Sequence, residues 1–384
     1  MKPRILPSCG FLFLLIAAPV LPVGQAALPT LMLLGDARYA ALGEAGGAIC
    51  FDIGAAQLNP AGLFFMERPG DFPVCLDYFF EFLLPEFGLS DLWHQNISLA
   101  GRYKNRLSVA IANKHVSFGE NEWRDEIGRY LGSFYSYDNF TIISLASNLE
   151  QLDSGSHYSI GVNIKFLYSN LADVPIGNSQ RRGIADDFAI DAGYLYREPF
   201  LNIFSAGITL QNMGPDITYI DYNQRDPLPF NLKLALGAAF RLENLLTATL
   251  ALDLNKELVR RGDDDETIRK YGRAKPHDPF WKAFFTAWQD DPWEEEAAGI
   301  IRSYGLELLA LNTFALRWGR MIDKAGCRWE STCGCGIKTR FIYFSFATID
   351  YLEHAHYKYD WSYDDDTTAR KSQTRFTWGI KYPL

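Results

Sequence analysis

The sequence predicts an all-β chain: a transmembrane antiparallel β-barrel of about 14 strands, with an N-terminal hatch inside it and a short helix in one long loop. Three observations carry this. From residue 73 onward the chain falls into alternating apolar and polar segments, each about ten residues long, the length at which a tilted strand crosses a bilayer. The last segment alternates up to the final residue, with Phe376, Trp378, Ile380, Tyr382 and Leu384 against Arg375, Thr377, Gly379 and Lys381. Ahead of the strands, residues 35–63 are too rich in Gly and Ala to build a core of their own, and small residues allow close backbone approach.

Taken in order, residues 1–26 read as a secretion signal. Lys2 and Arg4 form a positive start, Phe11 to Val20 an apolar run, and Gly24-Gln25-Ala26 a small-x-small cleavage site, with Ala27 as the first mature residue. Pro19 and Pro22 and the shortness of the run argue against a membrane anchor. Residues 27–72 are expected to form the hatch and residues 73–384 the barrel. No later stretch has the roughly 18 unbroken apolar residues of a membrane helix. A barrel escapes that test because its lipid-facing and lumen-facing residues alternate.

The alternation is clear in several segments. Ile160, Val162, Ile164, Phe166 and Tyr168 oppose Gly161, Asn163 and Lys165. Phe188, Ile190, Ala192, Tyr194 and Tyr196 oppose Asp187 and Asp191. Phe230 to Phe240 and Leu246 to Leu254 repeat the pattern. A soluble sandwich would alternate too, but here the apolar faces end in aromatics, as an interfacial belt requires, and aromatics make up 15% of the chain. A closing strand at the C-terminus must pair with the first, because an open edge cannot survive in lipid. The long connections are expected at 119–136, 170–183, 214–229, 256–300 and 358–372.

The connection 256–300 opens on a charge run, Arg260 to Glu266, which reads as a solvated segment. After it, Asp278 as cap and Pro279 at the first position start a helix. Trp281, Phe284, Phe285 and Trp288 fall at i, i+3, i+4 and i+7 and share one face, with Phe280 beside them, before Asp290, Asp291 and Pro292 stop the helix. Such a face packs on its own barrel, lies at the membrane interface, or docks a partner. Of six cysteines, Cys9 lies in the signal. The cluster Cys327, Cys333 and Cys335 suggests a disulfide in a hairpin loop, with metal binding as the weaker reading. The net charge of −9 with no basic patch argues against nucleic-acid binding.

Five segments in order resemble the PorV/PorQ family of FadL-like outer-membrane barrels. They are Gly35-Asp-Ala-Arg38 through Asn59-Pro60-Ala61-Gly62-Leu63, Gly161 to Ala172, Leu210 to Pro215, Asp226 to Leu232, and Asp278 to Trp293. The last, with Glu294 to Glu296 after it, is similar to the PorV branch in particular. The resemblance covers the mature chain up to about residue 320. It implies a FadL-like barrel with a hatch that includes Asn59, Pro60, Ala61 and Gly62. It also implies a non-enzymatic role in type IX secretion at the bacterial outer membrane. There such proteins receive the C-terminal signal domains of cargo from the translocon and pass them to the surface attachment complex. Outer-membrane lipid would surround the barrel, and Phe280, Trp281, Phe284, Phe285 and Trp288 would bind partners. FadL-like relatives instead admit hydrophobic solutes, a role that would require an elongated apolar pocket near Asn59-Pro60. The chain departs from the family pattern at Leu58, where an aromatic is usual, and at Asp52-Ile53, where two acids are common. Residues 305–312 lack the usual aromatic cluster, and the Cys327–Cys335 region and the acidic 364–366 loop look lineage-specific.

No catalytic constellation stands out, and no cofactor is expected. His354 and His356 share a strand face beside Glu353, with no third metal ligand placed nearby by sequence. Ser156-His157 reads as a turn entering a strand, and no nucleophile elbow is present.

Overall fold

The computed structural model describes residues 26–66, 73–84, 88–103, 106–148, 157–175, 182–198, 203–220, 225–243, 245–259, 278–288, 292–326, 328–351 and 372–383. Fourteen antiparallel strands form one closed barrel in which each strand pairs with its sequence neighbours. They are β1 (Pro73–Phe82), β2 (Leu92–Tyr103), β3 (Leu107–Arg124), β4 (Tyr130–Asn148), β5 (Tyr158–Ala172), β6 (Gly183–Arg197) and β7 (Phe204–Met213). The second half comprises β8 (Asn231–Leu242), β9 (Leu246–Glu257), β10 (Ile300–Ala310), β11 (Phe314–Asp323), β12 (Arg328–Lys338), β13 (Ile342–Tyr351) and β14 (Ser372–Pro383). Closure is made by β1 on β14, with Tyr78 opposite Trp378 and Pro73 opposite Pro383. All backbone groups of a closed ladder find partners, which a lipid environment demands.

The alternation sorts side chains as the sequence indicates. Ile160, Val162, Ile164 and Phe166 face outward and are exposed, while Asn163 and Lys165 between them are buried in the lumen. Leu234 and Leu236, Leu250, Trp318, Phe376 and Trp378 continue the outward apolar band. Short turns lie at the end of the barrel that holds Pro73 and Pro383. One of them, Leu311-Asn312, has φ of 52° at both residues, and Thr313 N–H donates to the Ala310 carbonyl at 2.9 Å, a primed turn that matches strand twist. Long connections lie at the other end, and in outer-membrane barrels that end is extracellular.

Three sequence expectations are corrected. Residues 119–136 are not a loop: β3 and β4 run for 18 and 19 residues, and only 125–129 connect them. Beyond the bulge at Ser117/Glu120, where Gly119 has φ of 79°, the ribbon stands clear of its neighbouring strands. It meets water on both faces, so it carries no apolar alternation to read. Cys333 and Cys335 lie on β12, opposite Trp318 and Leu316, rather than in a loop. They sit on the same outward face and both are free thiols, because residues i and i+2 of a strand point the same way and their sulfurs diverge from bridging geometry. Cys327 lies outside the described residues. Phe230, expected on the outward face of β8, precedes the strand and is buried at 4% exposure.

Residues 26–66 run through the lumen. Ala27 N–H donates to the Pro227 carbonyl, and Leu28 and Leu31 pack with Phe140, Leu167, Ile217 and Leu228 toward the long-loop end. A 3-10 turn (Pro29–Met32), helices α1 (Ala37–Ala40) and α2 (Ala55–Leu58), and a 3-10 helix (Pro60–Phe65) follow. Helices α3 (Phe280–Thr286) and α4 (Trp293–Ala298) stand in the β9–β10 connection.

Candidate functional site

The hatch fits because the wall has been stripped of side chains where it touches. Gly161 and Gly193 are lumen-facing positions on β5 and β6. A Cβ at Gly161 would lie 2.3 Å from Ala61 N, and one at Gly193 would lie 2.2 Å from Asn59 Oδ1. Into this bare strip go Asn59, Pro60, Ala61 and Gly62, all buried. Asn59 caps the 3-10 helix by accepting from Ala61 N–H at 3.2 Å. Its amide donates to the Gly47 carbonyl at 3.0 Å and to the Tyr194 carbonyl of the wall at 3.2 Å. One short side chain thus ties three chain segments, and Pro60 follows it where a helix tolerates a missing N–H.

Wall side chains grip the hatch from around the barrel. Ser159 donates to Ala61 O at 2.9 Å, Asn163 to Ala56 O at 2.8 Å and Gln211 to Gln57 O at 2.8 Å. Asp253 accepts from Gly46 and Gly47 N–H at 3.0 and 2.9 Å, Thr332 donates to Ala41 O at 3.0 Å, and Thr377 accepts from Ala37 N–H at 2.6 Å.

The Gly-Asp-Ala-Arg motif builds the charged end of this plug. Asp36 caps α1 by accepting from Arg38 N–H at 2.7 Å. Burial, and then the nearby Asp52 carboxylate, push Asp36 up to about 7. The Arg38 guanidinium forks onto Glu307 of β10 at 2.8 and 3.0 Å and reaches Asp52 at 2.6 Å. Tyr39 OH donates to Asp52 at 2.8 Å, and Arg317 of β11 reaches Glu307 at 2.6 Å. This lock was not legible in sequence. Its one trace was Glu307, an acid alternating with Leu306 and Leu308.

Between the lock and the short-turn mouth lies a cavity of about 450 Å³, walled by Arg38, Asp52, Glu307 and Arg317 together with Ile49 and Ile53. Asn59 and Pro60 do not line it.

At the opposite end, α3 splits the expected aromatic face. Phe280 and Phe284 pack inward with Phe230 and Leu258, and the Phe280 and Phe230 rings meet edge-on at 6.1 Å. Trp281, Phe285 and Trp288 point outward, the first two at 65% and 70% exposure. The helix starts one residue later than its cap signal indicates, with Pro279 as N-cap. Asp278 instead accepts from Lys282 at 2.6 Å and Thr286 at 2.9 Å, clasping the helix along its side. Glu296 of α4 pairs with Lys256 of β9, holding the second helix to the wall.

The His354, His356 and Glu353 group, Ser156, and the 260–266 and 364–366 charge runs lie outside the described residues. Among the described residues, no group of three or more His, Cys, Asp or Glu is placed to hold a metal.

The model of the family described as type IX secretion system protein PorV matches residues 22–264. Among solved structures, the chain is similar to the toluene transporter TbuX of Ralstonia pickettii, at 12% identity and TM-score 0.50, covering 92% of this chain and 99% of that one. The P. putida toluene transporter TodX is similar at 11% identity and TM-score 0.51, covering 90% and 97%. At such identities the likeness speaks for the fold. No curated protein sequence matches significantly. The closed fourteen-stranded ladder, the outward apolar band and these comparisons place the barrel in a bacterial outer membrane. With the matched model spanning well over half its length, the chain belongs to the PorV family of type IX secretion proteins.

Proposed function

We propose that this barrel is a non-enzymatic carrier that receives the C-terminal signal domains of type IX cargo from the translocon and passes them to the surface attachment complex. The observation that carries the reading is the outward triad Trp281, Phe285 and Trp288, held at the long-loop end by an anchored helix. Large aromatics on a rigid support are the side chains that concentrate binding energy at interfaces. Phe280 and Phe284 serve as the anchor, so the docking face is narrower than the sequence suggests.

The test is co-purification from cells. Replacing Trp281, Phe285 and Trp288 together with Ala should reduce recovery of translocon and cargo by tenfold or more, on the scale of about 2 kcal/mol per anchor. The barrel should stay folded, since Phe280 and Phe284 are untouched. Unchanged recovery would sink the docking role.

A hydrophobic-solute channel is the second reading, in keeping with the toluene transporters of similar fold. It is favoured less here. Asn59 and Pro60 are packed against bare wall and do not line the 450 Å³ cavity, whose apolar lining is interrupted by the Arg38, Asp52, Glu307 and Arg317 charges.

A further inference from the structure

We propose that the outer edge of β4, above the barrel wall, is a strand-addition site at which the cargo signal domain docks an extended, uncharged segment. This rests on the carrier reading above and names how the carrier would hold its cargo. The pairing of β2 with β3 ends at Leu92 and Phe118, and that of β5 with β4 at Asn170 and Tyr137. Beyond those pairs, residues 119–124 and 130–136 bond to one another as a two-stranded ribbon, and each strand presents an outer edge.

The two edges are not alike. On β3 the bulge at Ser117/Glu120 interrupts the edge, and the Asp91 carboxylate accepts the Glu120 N–H at 3.2 Å. Glu122 and Arg124, paired with each other, add charge along it. Bulges and charges are the devices by which native edges avoid further pairing. On β4, Tyr130-Leu-Gly-Ser-Phe-Tyr-Ser136 has no charge and no proline. Its one irregularity falls at the tip, opposite Trp123 and Arg124. Tyr130 and Tyr135, a residue type suited to strands, are 57% and 62% exposed.

One bond fixes the direction of the free groups. The Tyr135 carbonyl accepts from Asn170 Nδ2 at 3.3 Å, so the backbone groups of Tyr135 face away from β3. Those of Ser133, two residues on, face the same way. Among the described residues, no hydrogen bond reaches the Ser133 N–H or carbonyl on that side. An added strand would find a ladder half-made, with main-chain bonds supplying affinity and alternate side chains supplying specificity. The edge holds no charge for a charged segment to pair with, so an uncharged one fits it. The ribbon rises at the same long-loop end as Trp281, Phe285 and Trp288.

The test uses the intact barrel in detergent micelles and, as probe, the purified C-terminal signal domain of a cargo from the same cells. Amide hydrogen exchange at residues 130–134 should slow when the domain is added. Ser133→Pro removes the outward N–H and spares the ladder to β3, since proline is tolerated where a strand N–H faces solvent. It should weaken binding by about tenfold or more. Ser133→Ala, which loses only the hydroxyl bond to Glu120, should bind as the wild type does. Leu131→Lys, a charge on the same edge, serves as the second variant if Ser133→Pro disturbs the ribbon. Binding unchanged in both Ser133→Pro and Leu131→Lys overturns strand addition and leaves the carrier reading standing. A wild-type barrel that does not bind the domain overturns the carrier reading and this proposal with it. Slow exchange at Ser133 in the free barrel also overturns the proposal, because the barrel's own chain, or a second copy if the effect grows with concentration, then covers the edge.

Discussion

Arg38 and Glu307 are 269 residues apart, yet their ion pair joins the N-terminal segment to the barrel wall. Removing one partner of a buried ion pair leaves the other uncompensated, at a cost of about 3–5 kcal/mol. Glu307→Gln removes the carboxylate that Arg38 and Arg317 share, leaving Arg38 with Asp52 and Arg317 without a carboxylate partner among the described residues. It should lower the unfolding midpoint and raise the frequency of open events in planar bilayers. Wild-type conductance in that variant would place the lock elsewhere. Asp36 makes a separate prediction. Its folded value near 7 lies above the ordinary 3.8, so between these values the folded protein keeps a proton that the unfolded chain has lost. Stability must therefore fall as pH rises through that window. Thermal unfolding between pH 5 and 7.5 should show the decline, and Asp36→Asn, which is always neutral, should flatten it.

At the scale of elements, β12 and α3 show how context assigns a face. Cys333 and Cys335 look outward on a strand, whereas Cys50 and Cys75 are buried. In folded protein, a membrane-permeant maleimide should label the first pair and leave the second unlabelled until denaturation. Labelling of Cys50 at a comparable rate would mean that the hatch leaves the lumen readily. In α3 the helical period was legible from Trp281 to Trp288. The direction of each ring was not, since Phe284 turns toward Phe230 and Leu258, residues just outside β8 and β9 that lie away from it in sequence.

At the scale of the molecule, the closed strand ladder does not include the N-terminal segment that fills it. The strand ladder closes through β1 and β14 without help from the hatch, while the hatch is tied to the wall by side chains of several strands, among them Ser159, Asn163, Gln211, Asp253, Thr332 and Thr377. Deleting residues 36–62 should therefore leave a folded, heat-modifiable barrel that conducts ions in discrete steps absent from the intact protein. A closed deletion variant would show that the extracellular connections, rather than the hatch, seal the lumen.

The sequence by itself determined the barrel, its strand number, its closing strand and the existence of a small-residue hatch. Lipid imposes one rule on every outward position, and a period-two pattern writes that rule locally. It also disclosed α3 and the family to which the chain belongs. Only the tertiary structure decided what fills the lumen and how. Gly161 reads as a gap in a strand until Ala61 lies against it, and Arg38 as one charge among many until Glu307 faces it. Lumen-facing positions answer to whichever segment the fold brings opposite, and no local periodicity records that partner.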